Sequence, residues 1–300
     1  MQILHGRGGC ILCAAEASGG VRIERIIGPT PGVTSAIGSS LRLMESAIAN
    51  YQPTHIVAMV SGGRDSAAAF AIADEMGLPV DLILHGNTRT GIPETTQFVI
   101  DYYGNKRQDL AIADAGDAYE RYVMRKGFFG KGRNAHNFAY RILKADPFRA
   151  AISRLIRHGK RGVRIMLLNG ARKSESDNRR INLPRARMDK GNMWVNICHD
   201  WTDGDRDSYL ASRDVPINPV AKALCRSGEC MCGTMQTTGD RLEAAALFPA
   251  WGAWLDNLEA AAKAKHGFGW DSTGPKYRDP RQDDLFHPMC VGCERREPIA

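Results

Sequence analysis

The hexapeptide Ser61-Gly62-Gly63-Arg64-Asp65-Ser66 combines the residue types of a phosphate-binding loop. Its glycines let backbone N–H groups approach phosphate oxygens, and its serine hydroxyls can donate further hydrogen bonds. The Asp65 carboxylate can hold Mg²⁺ or cap a helix, and both roles stay open. An apolar stretch precedes the hexapeptide and an alanine-rich helical stretch follows it, so a helix N-terminus would add partial positive charge. We therefore predict that all six residues bind phosphate.

Arginines in a second segment, Gly170 to Arg179, can bind the same kind of anion. Arg172 and Arg179 each carry a planar guanidinium that can bind two phosphate or sulfate oxygens at once. The alternative is that they form surface ion pairs with Glu175 or Asp177. We predict that Gly170, Arg172 and Arg179 bind the ligand, and that Arg172 also takes part in catalysis.

Cysteines form a third set of residues with chemical potential. Five of the eight lie in the last third of the chain, namely Cys225, Cys230, Cys232, Cys290 and Cys293. Closely spaced thiolates select Zn²⁺ or an iron–sulfur cluster, and clusters accept varied spacings. We therefore predict these five as metal ligands, with free structural or redox thiols as the alternative.

A second division of the cysteines is also open, because chain termini often lie close together. Cys10 and Cys13 could join Cys290 and Cys293 in a zinc site, which would leave the other three as a cluster with an open iron. Cys198 falls in a predicted strand and is interpreted as a buried core thiol.

The elements that position these residues alternate between strands and helices. Apolar runs predict strands at 21–27, 55–60, 80–84, 110–113 and 163–168, and helical spacing predicts helices at 41–49, 66–76, 93–103, 117–126, 135–144, 148–158, 239–247 and 251–265. This order predicts an α/β fold, a Rossmann-like parallel sheet with helices on both faces. The motifs follow strands, so they should meet at the carboxyl ends of the sheet.

Changes in composition divide the chain into three parts. Residues 1–45 form a glycine-rich extension, 46–220 the nucleotide-binding sheet domain, and 221–300 a small cysteine-rich, partly helical appendage that would bind metal. The chain has 300 residues, and no apolar run reaches the roughly 20 residues that span a bilayer. The N-terminus lacks the layout of a signal peptide, so we expect a cytoplasmic protein without membrane contact. In that reducing compartment eight cysteines favour metal binding or catalysis over disulfides.

Positive charge is concentrated in one stretch of the chain. Residues 121–190 hold 20 Lys or Arg against four acidic residues, a local excess of 16, whereas the whole chain has a net charge of +7. Such an excess attracts nucleotides or nucleic acid, although a solvated basic face is the alternative. Arg141 and Lys144 fall on a predicted helix in this stretch and are weaker candidates for phosphate contact.

The hexapeptide resembles the Ser-Gly-Gly-x-Asp-Ser signature of the PP-loop ATP pyrophosphatase superfamily. Further motifs resemble the branch of phosphoadenosine phosphosulfate (PAPS) reductase and its relatives over about residues 50–235. They are Asn87-Thr88-Arg89-Thr90-Gly91-Ile92-Pro93-Glu94-Thr95, the Gly170 to Arg179 segment, and Trp201 with Asp205 followed by Val215-Pro216-Ile217-Asn218-Pro219. The resemblance implies an adenine nucleotide fold of the alpha-hydrolase type, with ATP and Mg²⁺ or, alternatively, PAPS as ligands. It also adds Asn87 and Thr88 to the predicted binding residues.

One departure from the branch bears on the reaction. Sulfonucleotide reductases resemble one another in a C-terminal Glu-Cys-Gly-x-His segment, whereas here Glu229-Cys230 is followed by Met231-Cys232-Gly233 and is not terminal. This difference favours sulfur transfer over PAPS reduction. Cluster-bearing members among the nucleic-acid sulfurtransferases favour a [4Fe–4S] cluster over Zn²⁺.

Together these features predict ATP-dependent sulfur transfer, in which the enzyme adenylates an oxygen of its substrate, releases pyrophosphate, and lets sulfur displace AMP. Asp65, Arg172, Cys230 and Cys232 are the predicted catalytic residues. The predicted acceptor is DNA or tRNA, the sulfur donor is a protein such as a cysteine desulfurase, and a homo-oligomer is compatible with the sequence. One alternative is a PAPS or adenylylsulfate reductase that uses thioredoxin and releases sulfite. Another is a non-catalytic nucleotide-binding or nucleic-acid-binding module.

Overall fold

A single mixed sheet forms the centre of the protein. The computed structural model describes residues 3–4, 31–157 and 161–271. Their strands follow the order β1-β4-β3-β2-β5-β7-β6. The strands are β1 (Ile3–Leu4), β2 (His55–Val60), β3 (Val80–Asn87), β4 (Asp109–Asp114), β5 (Ile165–Asn169), β6 (Ala186–Asp189) and β7 (Asn192–Asn196). The inner strands run parallel, and β1 and β6 pair antiparallel at the two edges.

Helices cover both faces of this sheet. They are α1 (Pro31–Tyr51), α2 (Arg64–Glu75), α3 (Pro93–Tyr103), α4 (Ala118–Lys126), α5 (Arg133–Tyr140), α6 (Asp146–Ile152), α7 (Asp177–Asn182), α8 (Asp203–Ser212), α9 (Pro219–Leu224), α10 (Thr238–Leu247) and α11 (Pro249–His266). Because successive strand residues point to opposite faces, Ile56 and Ala58 join a core with α1, α2 and α8, whereas Val57 joins a second core with α6. The predicted α/β fold with a Rossmann-like sheet is confirmed.

The order of the strands places the ligand crevice. From β2 the chain moves to β3 and β4 on one side, and it then returns to β5 and β7 on the other side. In open α/β sheets ligands bind outside the carboxyl ends of the strands at such a switch point. The loops that follow β2 and β5 therefore lie next to each other at the carboxyl edge.

A third apolar cluster attaches the C-terminal helices to the sheet domain. Trp251 and Leu255 of α11 pack there with Tyr119 of α4 and with Met231 and Cys232. The segment between α9 and α10, residues 225–237, is thus partly held in a packed core. We call residues 225–232 the cysteine segment.

Several elements differ from the predictions. The helix predicted at 41–49 begins at Pro31, crosses the predicted domain boundary at residue 45, and buries Val33 and Met44 in the first core. The helices predicted at 135–144 and 148–158 form one helical run with π turns at 141–145 and 153–157. The first π turn lies just before Pro147, whose ring cannot donate a hydrogen bond and crowds the preceding turn.

Further predictions concern Cys198 and several segments outside the described residues. Cys198 lies in the turn after β7 rather than in a strand; it is fully buried, and burial raises the pKa of its thiol. The strand predicted at 21–27, the Cys10 and Cys13 pair, and the Cys290 and Cys293 pair lie outside the described residues. Within the described residues, no helix combines the length and apolar character that a membrane span needs.

Candidate nucleotide-binding site

The loop after β2 has the conformation of an anion cradle. Gly62 adopts a φ of +76°, which glycine reaches without steric penalty. Ser66 Oγ accepts a hydrogen bond from the Ser61 N–H at 3.1 Å and donates one to the Gly63 carbonyl at 2.9 Å. Helix α2 begins at Arg64, and no side chain caps it. Its first N–H groups and its partial positive charge are therefore available to an anion.

This loop opens into a cavity of about 680 Å³. Residues of the phosphate loop, Asn169 and Gly170 after β5, and Cys225 of the cysteine segment line the cavity together. Aromatic side chains, Tyr140, Phe148 and Trp194, line it as well. A cavity of this size lies in the range of known small-molecule and cofactor sites.

Close contacts fix the segments after β3 and β5 and the cysteine segment around the phosphate loop. A Cβ atom on Gly170 would overlap the Asp65 carbonyl oxygen and lie 2.8 Å from the Ser66 nitrogen. A Cβ on Gly91 would likewise overlap the Glu229 carbonyl. Asn218 Nδ2 donates to the Gly62 carbonyl at 3.0 Å. Glycine at 91 and 170 is thus what lets the β3, β5 and cysteine segments meet around the phosphate loop.

Arg172 holds the phosphate loop rather than facing the cavity. Its side chain is 1% exposed, donates from Nε to Asp65 at 2.7 Å, and donates from an Nη to Asp203 at 2.8 Å. Arg206 also donates to Asp65, at 2.9 Å. The predicted Arg172 and Asp65 pair is therefore brought together, but the two residues are engaged with each other. This arrangement suits positioning of the loop better than binding of phosphate by Arg172 or of Mg²⁺ by Asp65.

Other cations line the cavity. Arg64 and Arg179, both predicted from sequence, do so, with Arg64 3.6 Å from Asp207 and Arg179 paired with Glu175. Arg206 was missed by the sequence analysis, although it lies one residue after the Asp205 of a recognised motif. These guanidinium groups lie beside the helix N-terminus of the phosphate loop, where they can contact an anionic ligand, although each is already paired with a carboxylate.

Asn87 and Thr88 lie away from this cavity. Thr88 is fully buried, and its hydroxyl donates to the Glu229 carbonyl at 2.7 Å. Asn87 donates to Asp114 at 3.3 Å and lines a different cavity. Thr88 thus supports the cysteine segment and Asn87 contacts the end of β4, so a direct contact of either residue with the nucleotide stays a prediction.

The described cysteines face two different environments. Cys225 is exposed, ends α9 in the left-handed conformation with a φ of +54°, and lines the nucleotide cavity. Cys230 and Cys232 pack at the third apolar cluster instead. The two thiols interact with each other, which raises the pKa of Cys230 and lowers that of Cys232. Among the described residues, no group of three or more His, Cys, Asp or Glu side chains is placed to hold a metal ion. These three cysteines thus do not by themselves fit the predicted cluster.

Lys144 and Glu229 form an ion pair that the sequence analysis only half anticipated. Lys144, on the π turn after α5, pairs with Glu229 and lines the nucleotide cavity. Burial opposes protonation of the ammonium, but the Glu229 carboxylate outweighs burial and raises the pKa of Lys144. Glu229 is 4% exposed, and its Oε1 has no hydrogen-bond partner among the described residues. No sequence pattern pointed to Glu229 beyond its place before Cys230.

Asp200 ties the segment after β5 to the turn after β7. It accepts from Lys173 Nζ at 2.8 Å and from Arg185 Nε at 3.2 Å. Burial opposes ionisation, but hydrogen bonds from Lys173 and His199 outweigh it and lower the pKa of Asp200 to about 2. An unfolded Asp has a pKa near 3.9. The carboxylate therefore stabilises the fold above about pH 4, and this contribution is lost as the pH falls through about 2.

We expect Asp200→Asn to lower the free energy of unfolding by about 1–2 kcal/mol at pH 7. The difference from the parent protein should shrink as the pH falls toward 2–3, because the parent then loses the same charge. Urea unfolding at pH 7 and pH 3 measures both values. Asp177→Asn is the control, since the ion-pair partner of Asp177 within the described residues is the exposed Arg180. An equal loss at both pH values would contradict the assignment.

The sheet with its switch point and its Ser-Gly-Gly loop define an α/β protein of the PP-loop class. Residues 55–236 match the phosphoadenosine phosphosulfate reductase domain, which is more than half of the chain. The chain belongs to this family. The matched range confirms the resemblance found over about residues 50–235. No curated protein matches the chain.

Solved structures with similar folds share little sequence with this chain. The PAPS reductase of Candida auris in its phosphate complex is 16% identical, with 66% of this chain and 94% of that chain covered and a TM-score of 0.43. The FMN adenylyltransferase of Candida glabrata is 12% identical, with coverages of 66% and 63% and a TM-score of 0.45. The NMN synthetase of Francisella tularensis is 16% identical, with coverages of 81% and 99% and a TM-score of 0.43.

Proposed function

We propose that this protein binds ATP in the phosphate-loop cavity and uses it for sulfur transfer. The observation that supports this best is that the phosphate loop and the Cys225 thiol line one cavity of about 680 Å³. A nucleotide and a sulfur-bearing group could therefore meet in it. The match to the PAPS reductase domain agrees with chemistry that joins an adenine nucleotide to sulfur.

The two ends of the cavity suggest how the nucleotide lies. The triphosphate would occupy the Ser61–Ser66 loop, with Arg64, Arg179 and Arg206 beside it. The adenine would lie against the aromatic wall, where Phe148 packs directly on Gly86. Aromatic rings offer flat apolar surface on which a base can stack. This orientation places the α-phosphate between the two ends.

In this orientation each group of residues would have its own role in the reaction. An acceptor oxygen attacks the α-phosphorus, the bond to the β-phosphate oxygen breaks, and pyrophosphate leaves. The guanidinium groups and loop N–H groups stabilise the charge that develops on the phosphates. Arg172 and Arg206 position Asp65 and thereby hold the loop in shape. Cys225, which lines the cavity, would carry the donor's sulfur as a persulfide, and the outer sulfur would displace AMP from the adenylated acceptor. An external thiol would then reduce the resulting disulfide between acceptor and Cys225 and release the thiolated product.

A nucleic acid is the acceptor that we favour, as DNA or tRNA. The stretch 121–190 is rich in cations, and several of its arginines are well exposed. Arg121, Arg180 and Arg185 each expose more than 60% of the side chain. Nucleic acid binding through these cations should weaken strongly with salt, because it releases counterions from the phosphates.

A second candidate is reduction of PAPS or adenylylsulfate to sulfite. The family match favours it, and the same Cys225 thiol lies in the cavity where a sulfonucleotide would bind. The two reactions differ in what they release. Sulfur transfer with ATP releases pyrophosphate, whereas reduction of PAPS releases sulfite and needs a thiol reductant such as thioredoxin.

One experiment separates these candidates. The purified protein is incubated with ATP, Mg²⁺, a sulfur donor and tRNA or DNA, and in parallel with PAPS and thioredoxin. We expect acceptor-dependent pyrophosphate in the first mixture and none of the sulfite that a reductase would give in the second. Cys225→Ser should keep nucleotide binding and pyrophosphate release but lose the sulfur-containing product, whereas Cys198→Ser is the control for a buried thiol. Salt-dependent nucleic acid binding without any turnover would instead support a non-catalytic module.

A further inference from the structure

A second cavity of about 710 Å³ lies beside the nucleotide cavity and shares Glu229 with it. Residues from α3, α4 and α11, together with the end of β3, form its walls. Ile92 and Pro93 contribute apolar surface on one side, and Trp251 and Trp254 contribute it on another. The nucleotide chemistry proposed above leaves this cavity without a role.

The two indole rings are held in fixed orientations. Trp251 is 3% exposed, and its Nε1–H donates to the Thr90 carbonyl at 3.0 Å. The Nε1–H of Trp254 donates to Glu120 at 2.8 Å. Because both N–H groups are already bound, the partly exposed Trp254 offers the apolar surface of its ring to a ligand. The face of an indole attracts a cation within about 6 Å of the ring.

Some charges at this cavity are neutralised by partners. Arg89, the cation in the lining, pairs with Asp114 at 2.7 Å. Asp117 pairs with Arg121 at 3.2 Å. Glu229 pairs with Lys144, as described above. None of these residues gives the cavity a large excess of either sign.

Two further carboxylates give it an excess of negative charge. Glu94 and Glu120, both exposed to solvent, line the cavity; Glu120 accepts a hydrogen bond from Trp254 and also attracts Arg89. A cation in the cavity would be attracted by these two carboxylates.

We infer that the second cavity binds a small organic cation, an ammonium or guanidinium group carried on an apolar body. The apolar body would lie mainly on Trp254 and Pro93, and the cationic head would lie toward the carboxylates. An anion would be repelled by Glu94 and Glu120, and a neutral ligand of the same shape would gain no electrostatic attraction from them. The cavity volume is in the range of small-molecule sites.

A matched set of three probes tests this site. Hexylammonium, hexan-1-ol and hexanoate share one apolar chain and differ in the charge of the head group. Saturation-transfer NMR and titration calorimetry on the full chain, without nucleotide, give their affinities at constant ionic strength. We expect hexylammonium to bind saturably and at least about tenfold more tightly than the other two. Binding should weaken at high salt.

Variants locate the binding within the molecule. The double change Glu94→Gln with Glu120→Gln should weaken hexylammonium binding by about tenfold, while glutamine at 120 keeps the oxygen that accepts from Trp254. Trp254→Leu should weaken it as well, and Glu45→Gln, on an exposed part of α1, should not change it. The inference is overturned if hexylammonium does not saturate, if hexan-1-ol binds as tightly, or if the double variant binds as the parent does. Since no nucleotide or sulfur donor is present, these results are independent of the proposed sulfur transfer.

Discussion

Alanine at position 170 is expected to remove nucleotide binding while the protein stays folded. The added Cβ would overlap the Asp65 carbonyl oxygen and lie 2.8 Å from the Ser66 nitrogen. Both are backbone atoms of the phosphate loop, so no flexible side chain can move aside. The loop must shift, and its N–H groups then no longer converge on the phosphates. Losing two hydrogen bonds to charged phosphate oxygens costs about 3 kcal/mol or more, so we expect ATP to bind at least about 100-fold more weakly.

Titration calorimetry with ATP measures this effect, and circular dichroism checks the fold. Gly130→Ala is the matched control, because the nearest neighbour of an added Cβ there is Ala135 at 4.0 Å. It should bind ATP as the parent protein does. If Gly170→Ala binds ATP within about threefold of the parent, the loop contact with β5 does not shape the nucleotide site.

The phosphate loop was accessible to sequence reasoning because its signal is local. The strand, the glycines and the start of α2 lie within 20 consecutive residues, His55 to Asp74, and the structure keeps them in that order. The parallel sheet followed from the alternation of apolar strands and helices in the same way. Strands β6 and β7 were missed because β6 is half-exposed at the sheet edge and mixes charged with apolar residues. Such a strand lacks the apolar run on which the prediction depends.

The roles of single side chains were less accessible, because they depend on partners far apart in sequence. Arg172 looked like an oxyanion ligand, yet Asp65 lies 107 positions before it and accepts its hydrogen bond. The same applies to the thiols. Cys225 and Cys230 are close in sequence, but the left-handed turn at Cys225 points the chain in a new direction. Consequently Cys225 meets the nucleotide cavity, and Cys230 packs toward α11.

Arg172 and Arg179 belong to the same sequence motif but have different environments in the structure. Arg172 is 1% exposed and bound to carboxylates of two different segments, so it joins the phosphate loop to α8. Arg179 exposes 41% of its side chain, pairs with the nearby Glu175, and lines the cavity. Arg172 should therefore contribute mainly to the free energy of unfolding, and Arg179 should contribute mainly to nucleotide affinity.

We therefore expect Arg172→Met to lower the free energy of unfolding by about 3 kcal/mol, because it removes one partner of a buried ion pair and leaves Asp65 with Arg206 alone. Arg179→Met should change stability by less than about 1 kcal/mol, since exposed pairs contribute little. Nucleotide affinity should show the reverse pattern once the comparison is made at a temperature where both variants are folded. Urea unfolding gives the first quantity and titration with ATP the second. Equal stability losses in the two variants would mean that Arg172 does not hold the loop, and an ATP affinity that Arg179→Met leaves unchanged would remove Arg179 from the site. Either result would move the anchoring of the phosphates to the backbone of residues 61–66 and to Arg64 and Arg206.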